Sequence, residues 1–106
     1  MEDKILVLTN LPDQESAARL AEALVTRGLA ACVNIHAPCT SIYHWRGKSE
    51  SAQEVPILIK TTMDRYAEVE STIRLNHPYE LPEIIHVTLS GGLPPYLEWI
   101  SKETSR

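Results

Sequence analysis

Apolar and polar positions alternate along the chain in segments of two periods. Ile5-Leu6-Val7-Leu8 is an unbroken apolar run ending at Thr9-Asn10-Leu11-Pro12, which predicts a first strand buried on both faces. Asp13 is placed as a helix N-cap, and Ala17, Leu20, Ala21, Leu24 and Val25 then recur at i, i+3, i+4, i+7 and i+8, one face of an amphipathic helix. Arg27-Gly28 ends it, glycine suiting the left-handed stop position. A second strand is expected from Ala30 to Ile35. It is broken at Ala37-Pro38 and continues through Ser41-Ile42-Tyr43-His44-Trp45-Arg46.

Arg46-Gly47-Lys48 opens a turn, and the polar stretch Ser49 to Gln53 reads as the tip of a hairpin. Val55 to Thr61 is the third strand, with Pro56 marking an edge or a bulge. Thr61 and Asp64 have capping-box spacing before a second helix faced by Tyr66, Val69 and Ile73, which Pro78 stops at Asn76-His77. Glu83 to Leu89 is a fourth strand. After Gly91-Gly92, Pro94 or Pro95 opens a last helix with Leu93, Tyr96, Leu97 and Ile100 along one stripe.

The order β-α-β-β-α-β-α divides into two β-α-β halves, with Ile5-Leu6-Val7-Leu8-Thr9 before Asp13 echoed by Ile57-Leu58-Ile59-Lys60-Thr61 before Asp64. This is an α+β, ferredoxin-like βαββαβ sandwich with an extra C-terminal helix, formed as one domain over residues 1–106. Two helices cover one face of such a sheet. A first strand buried on both sides therefore implies that further copies of the chain cover the other face in a closed homo-oligomer.

Charge narrows the function. Ten Lys and Arg against 14 Asp and Glu leave a net −4, which argues against a nucleic-acid or membrane-surface binder. The absence of Phe argues further against a stacking RNA-binding sheet. No apolar run approaches the ~20 residues of a membrane helix, and the start Met1-Glu2-Asp3-Lys4 is unlike a secretory signal, so a cytoplasmic location is expected. Cys32 and Cys39 form no C-x-x-C and read as buried, reduced thiols.

No catalytic motif is present, so the chain is not expected to be an enzyme. His77 stands apart among the four histidines, because Pro78 and Pro82 stiffen the loop that carries it together with Tyr79, Glu80 and Glu83. It is the candidate metal ligand, with a C-terminal cap as the plain structural alternative. Trp45, Glu54, Lys60 and Tyr79 are candidate cleft residues, with Lys60 able to attract an anion, while packing and ion pairing are their ordinary roles. Tyr43 and Trp45 are expected to bury against a neighbouring subunit. If Lys60, Glu54 and His77 shared one cleft, acid–base chemistry would become conceivable.

Several segments together resemble the divalent-cation tolerance proteins known as CutA. They are Leu29-Ala30-Ala31-Cys32-Val33-Asn34, Ser41-Ile42-Tyr43-His44-Trp45-Arg46-Gly47-Lys48, Glu54, Ile59-Lys60-Thr61-Thr62, His77-Pro78-Tyr79-Glu80-Leu81-Pro82-Glu83 and Tyr96-Leu97-Glu98-Trp99-Ile100, in order and across nearly the whole chain. The resemblance implies a compact trimer of ferredoxin-like subunits and an association with tolerance to divalent metals, copper above all. In family members proposed to bind copper, a Cys ends the first strand and a His-His pair precedes Pro-Tyr. Those positions are Thr9, Asn76 and His77 here, and only His77 matches. A hydroxyl and an amide are poor copper ligands, so copper or another divalent cation would bind weakly, with Tyr79 or Glu80 assisting. By fold analogy with PII-like signal trimers, the alternative is a signalling or scaffold module that takes a small ligand or a partner protein in clefts between subunits.

Overall fold

The computed structural model describes residues 3–105. The outermost residues of the expected domain, 1, 2 and 106, lie outside them, as does the opening Met1-Glu2 read above for a signal. Five strands and three helices follow in the order β1 (Lys4–Leu11), α1 (Gln14–Thr26), β2 (Cys32–Ile35), β3 (Cys39–Trp45), β4 (Lys48–Thr62), α2 (Tyr66–Asn76), β5 (Ile84–Thr88) and α3 (Pro94–Thr104). The sheet is antiparallel, ordered β2-β4-β1-β5, with β3 also paired to β4. This is the expected α+β ferredoxin-like arrangement, its second strand split into β2 and β3.

The period-2 rule builds the core. Ile5, Val7, Thr9 and Leu11 of β1 stand opposite Thr61, Ile59, Ile57 and Val55 of β4, and all eight are buried. Onto this face α1 packs Ala17, Leu20 and Leu24, and α2 packs Val69 and Ile73. Val25, expected on the buried stripe, stays exposed at its margin. Asp13 caps α1 by accepting the Ser16 backbone N–H at 2.7 Å, a bond that lowers the Asp13 pKa. At the other end Gly28 sits at φ +70°. The N–H groups of Gly28 and Leu29 reach the Val25 and Leu24 carbonyls at 3.0 and 2.9 Å, a Schellman closure.

The opposite face is left open within one chain. Leu6 and Leu8 of β1 and Leu58 of β4 are only half-buried, and Ile85 and Val87 of β5 are 53% and 50% exposed. Within one chain, β1 is therefore sealed on one side only. The third helix, α3, lies against β4 and β1 and buries Ile100. The buried Arg65 holds its end, donating from Nε to the Thr104 carbonyl at 2.6 Å.

Two local readings are corrected. Ser49 to Gln53 is not a hairpin tip but ladder, each residue paired to β3, and the turn is Arg46-Gly47 alone, at φ 51° and 81°. Both residues take the left-handed backbone that a two-residue hairpin turn requires. The capping box at Thr61 and Asp64 does not form. The strand runs on to Thr62, Thr61 Oγ1 donates to the Leu29 carbonyl at 2.7 Å, and a 3-10 turn over Met63–Arg65 leads into α2 without a side-chain cap.

Pro56 marks neither an edge nor a bulge of β4: the strand is central and pairs without interruption through Asn10↔Pro56, and the extra residue lies opposite, between β2 and β3. The Pro56 carbonyl accepts the His36 N–H at 2.9 Å, so the nitrogen that lacks a hydrogen faces the Ala37-Pro38 break between β2 and β3, where no ladder bond is lost.

Tyr66 supplies an alkaline prediction. Its hydroxyl donates to Glu70 Oε1 at 2.8 Å and its ring lies 4.3 Å from that of His86. Burial, then the hydrogen bond and charge of Glu70, push its pKa from 10.0 to about 12. A raised pKa favours the neutral phenol in the fold, so this contribution to stability is complete below pH ~10 and lost as pH rises through ~12. Phenolate absorbance should show a late step that Tyr66→Phe removes; an unchanged titration in that variant would refute the assignment.

Candidate functional site

The long β3–β4 arm and the loop joining α2 to β5 face each other across an open cleft of about 1060 Å³. The arm contributes Tyr43, Trp45 and Glu54, the loop Tyr79, Glu80 and Glu83, and the end of β1 Asn10. Period-2 alternation puts Tyr43 and Trp45 on one side of β3, as expected. Glu54 lies where the arm enters the body of the sheet, and its residue is only 9% exposed. The Tyr79 hydroxyl is raised above an ordinary phenol, first by burial and then by the charge and hydrogen bond of Glu54.

Ion pairs and hydrogen bonds hold the two walls. Arg46, at the hairpin turn, donates to Glu80 Oε1 at 2.9 Å and lies 5.3 Å from the centre of the Trp45 ring. Asn10 Nδ2 donates to Glu83 Oε1 at 3.2 Å. His77 works behind the wall. Its Nε2–H donates to the Asn10 carbonyl at 2.5 Å, its Nδ1 accepts the Tyr79 N–H at 3.2 Å, and its ring packs 4.6 Å from that of Tyr79. Those two bonds set the tautomer and leave Nδ1 as the one lone pair of the ring, already engaged.

Of the four candidate cleft residues, the fold therefore brings Trp45, Glu54 and Tyr79 together. Lys60 is elsewhere: six residues along β4 from Glu54, roughly 20 Å at strand rise, with Nζ bonded to Asn34 Oδ1 at 2.6 Å. Within one chain Lys60 and Glu54 are too far apart to share a substrate, so the arrangement that would make acid–base chemistry conceivable is not formed there.

The donors at the copper positions are a poor match for that ion. Thr9 Oγ1 is buried with no hydrogen-bond partner among the described residues, and the Asn76 amide is used on the Thr72 carbonyl at 2.8 Å. No group of three or more His, Cys, Asp or Glu side chains among the described residues is arranged to hold a metal. Cys32 and Cys39 are free thiols, but neither is buried as expected: Cys32 is half-buried and Cys39 exposed.

The sequence match to CutA1 divalent ion tolerance protein spans residues 5–103. The chain belongs to the CutA1 family. A divalent-cation tolerance protein CutA from Thermus thermophilus is 39% identical over 99 residues, covering 93% of this chain and 96% of that protein. Human Protein CutA is 40% identical over 93 residues, but this chain covers 52% of its length. Among solved structures, CutA from Xylella fastidiosa superposes with a TM-score of 0.94 at 41% identity, covering 97% of this chain and 99% of that one. CutA1 from the psychrotrophic Shewanella sp. SIB1 gives 0.95 at 39%, covering 98% and 97%. The CutA1 relatives are named as tolerance proteins and not as enzymes.

Two contributors to the CutA1 cleft were not legible in the chain. Asn10 looked like part of a turn, and its bond to Glu83 spans 73 positions. The Arg46–Glu80 pair joins a hairpin turn to a loop 34 residues on. Only the clustering of charged residues around Tyr79 hinted at the second.

Proposed function

We propose that this CutA1 protein works as a homotrimer whose binding surface is the cleft between the β3–β4 arm and the 77–83 loop, in the manner of a ligand-reading signal or scaffold module. The observation that carries this reading is the convergence of Trp45, Glu54 and Tyr79 from three separate segments on one cleft. Trimerisation is supported by the half-covered second face of the sheet, where Leu6, Leu8, Leu58, Ile85 and Val87 form an apolar surface, and by an arm that is largely exposed. A cytoplasmic setting accords with two free thiols.

Weak capture of copper or another divalent cation is the second reading. One observation favours it: the lone pair of His77 Nδ1 is held only by a 3.2 Å bond from Tyr79 N–H, which a cation could displace at small cost. The other family positions add hard or occupied donors, so tight binding by one chain is not expected.

Light scattering across a dilution series should give three times the chain mass, and Trp45→Ala should shift that mass downward on dilution. A protein that runs as one chain, or a variant with unchanged mass at the lowest concentration, would overturn the assembly. A thermal-shift screen of small ligands tests the cleft, where a stabilising compound raises the melting temperature with concentration.

A further inference from the structure

We infer that in the trimer proposed above the Lys60 ammonium of each copy pairs with the Glu54 carboxylate of the next, so that every cleft is completed by a neighbouring subunit. The inference rests on the homotrimer reading and gives its interface a polarity.

Alternation places the two groups. Along β4, Val55, Ile57, Ile59 and Thr61 are buried under the helices, which turns Glu54, Pro56, Leu58 and Lys60 to the open face of the sheet. Register sets Leu6 and Leu8 of β1 beside Lys60 and Leu58, with Val87 and Ile85 of β5 beyond them. The open face therefore has an apolar middle, a carboxylate at one end and an ammonium at the other. Its acidic end runs into the cleft, which Glu54 and Ile85 both line.

Charge shows what each end lacks. Glu54 is nine-tenths buried, yet none of the ion pairs among the described residues includes it. Its neighbour Tyr79 supplies one hydroxyl. Lys60 is half-buried and gives one of its three N–H donors to the neutral Asn34 Oδ1 at 2.6 Å. When further copies cover this face, both groups lose water, and a charge withdrawn from water needs an opposite charge. Inside one chain they cannot meet, since they stand six residues apart on an extended strand. Other bases are spoken for or badly placed. Arg19, Arg46 and Arg65 are held by carboxylates of their own chain, and Lys4 stands at the margin of the face, opposite the last residue of β4.

Symmetry decides the pairing. In a closed three-fold ring each interface is heterologous, one patch of a subunit meeting a different patch of the next. A face with unlike ends satisfies that requirement, acidic end on basic end, three times around the ring. Docking in the opposite sense sets like charges together. The pair thus fixes the direction and register of assembly more than its strength, because burying an ion pair costs about as much solvation as the attraction returns.

The test is light scattering across a dilution series of the full chain, comparing the parent with Glu54→Lys, Lys60→Glu and the variant carrying both changes. Each single reversal opposes like charges at all three interfaces and should raise the concentration at which the trimer dissociates at least tenfold. The double reversal should recover most of that loss. Mixing the two single variants in equal amounts should also recover mass, since each supplies the charge the other lacks, and this recovery requires that the pair join different chains. Glu22→Lys, on the exposed face of α1, changes net charge as Glu54→Lys does and should leave the mass unchanged. If a reversed chain fails to fold, Glu54→Gln, Lys60→Gln and their combination give the coupling by a double-mutant cycle, expected to exceed twofold. A trimeric parent whose reversals dissociate no sooner, no recovery on mixing, or a coupling below twofold would overturn the pair and leave the trimer standing. A parent that runs as one chain would overturn the homotrimer reading, and the pair with it.

Discussion

Ile59→Ala should lower the stability of the fold by about 3 kcal/mol, the middle of the range for truncating a fully buried isoleucine. Ile59 is completely buried at the centre of β4, between Val7 on one side and Val33 on the other, under the helices. The loss has two parts, the transfer of the missing methyl and methylenes and the cavity left among neighbours that close-pack. Against a total of about 5–15 kcal/mol for a domain of this size, that moves the urea midpoint strongly. Its neighbour Leu58 gives the contrast. Leu58 points to the other face, is half-buried, and stands opposite Leu8. Leu58→Ala should cost the isolated chain less and fall instead on assembly, seen as a lower mass by light scattering at the same protein concentration. Denaturation curves of equal midpoint for the two variants would mean that both faces are sealed alike, and the inside-out division of the sheet would be wrong.

His77→Ala should cost about 2 kcal/mol, because it strips partners from two backbone groups at once. The Asn10 carbonyl loses the Nε2 hydrogen, and the Tyr79 N–H loses its acceptor. Both lie at the wall of the cleft, so the effect should reach beyond stability. The Tyr79 ring loses its 4.6 Å neighbour and its fixed backbone. Its hydroxyl, raised by burial and by Glu54, should titrate closer to a free phenol. Copper titration of the same variant separates the two roles of the imidazole. A clamp predicts lost stability with copper uptake unchanged, whereas a ligand predicts uptake that disappears with the ring. A variant as stable as the parent, with an unmoved Tyr79, would show that the His77 bonds hold nothing in place.

Elements set by neighbours in the chain were legible from the residues. The N-cap at Asp13, the stop at Gly28, the end of α2 at Asn76 and the prolines that open α3 rest on interactions within a few positions, and each stands where the pattern put it. The unbroken apolar run Ile5 to Leu8 and the stretch Val55 to Thr61 likewise identified two strands. They did not reveal the one-sidedness of those strands, since an apolar residue on the second face looks the same in sequence whether a helix or another subunit covers it.

Other features failed for a definite reason. Ser49 to Gln53 carries no apolar period because the arm is held by its backbone ladder with β3 and not by burial, so nothing in the side chains distinguished a strand from a tip. The spacing of Thr61 and Asp64 resembled a capping box, yet β4 runs on past Thr61 and its hydroxyl is used on Leu29.

The candidate site shows the same division. The chain by itself determined the α+β ferredoxin-like order and, through its ordered segments, membership of the CutA1 family. It also singled out Trp45, Glu54, Tyr79 and His77. Tertiary structure alone decided which of them meet. Glu54 and Lys60 are six residues apart yet a strand's length removed, while Asn10, Trp45 and Tyr79 are far apart in sequence and line one cleft. The reason is geometric. A strand separates its own residues by over 3 Å each, whereas sheet pairing and a proline-stiffened loop bring distant ones together. Likewise, the ligand capacity of His77 depends on a carbonyl 67 positions away, which no local pattern encodes.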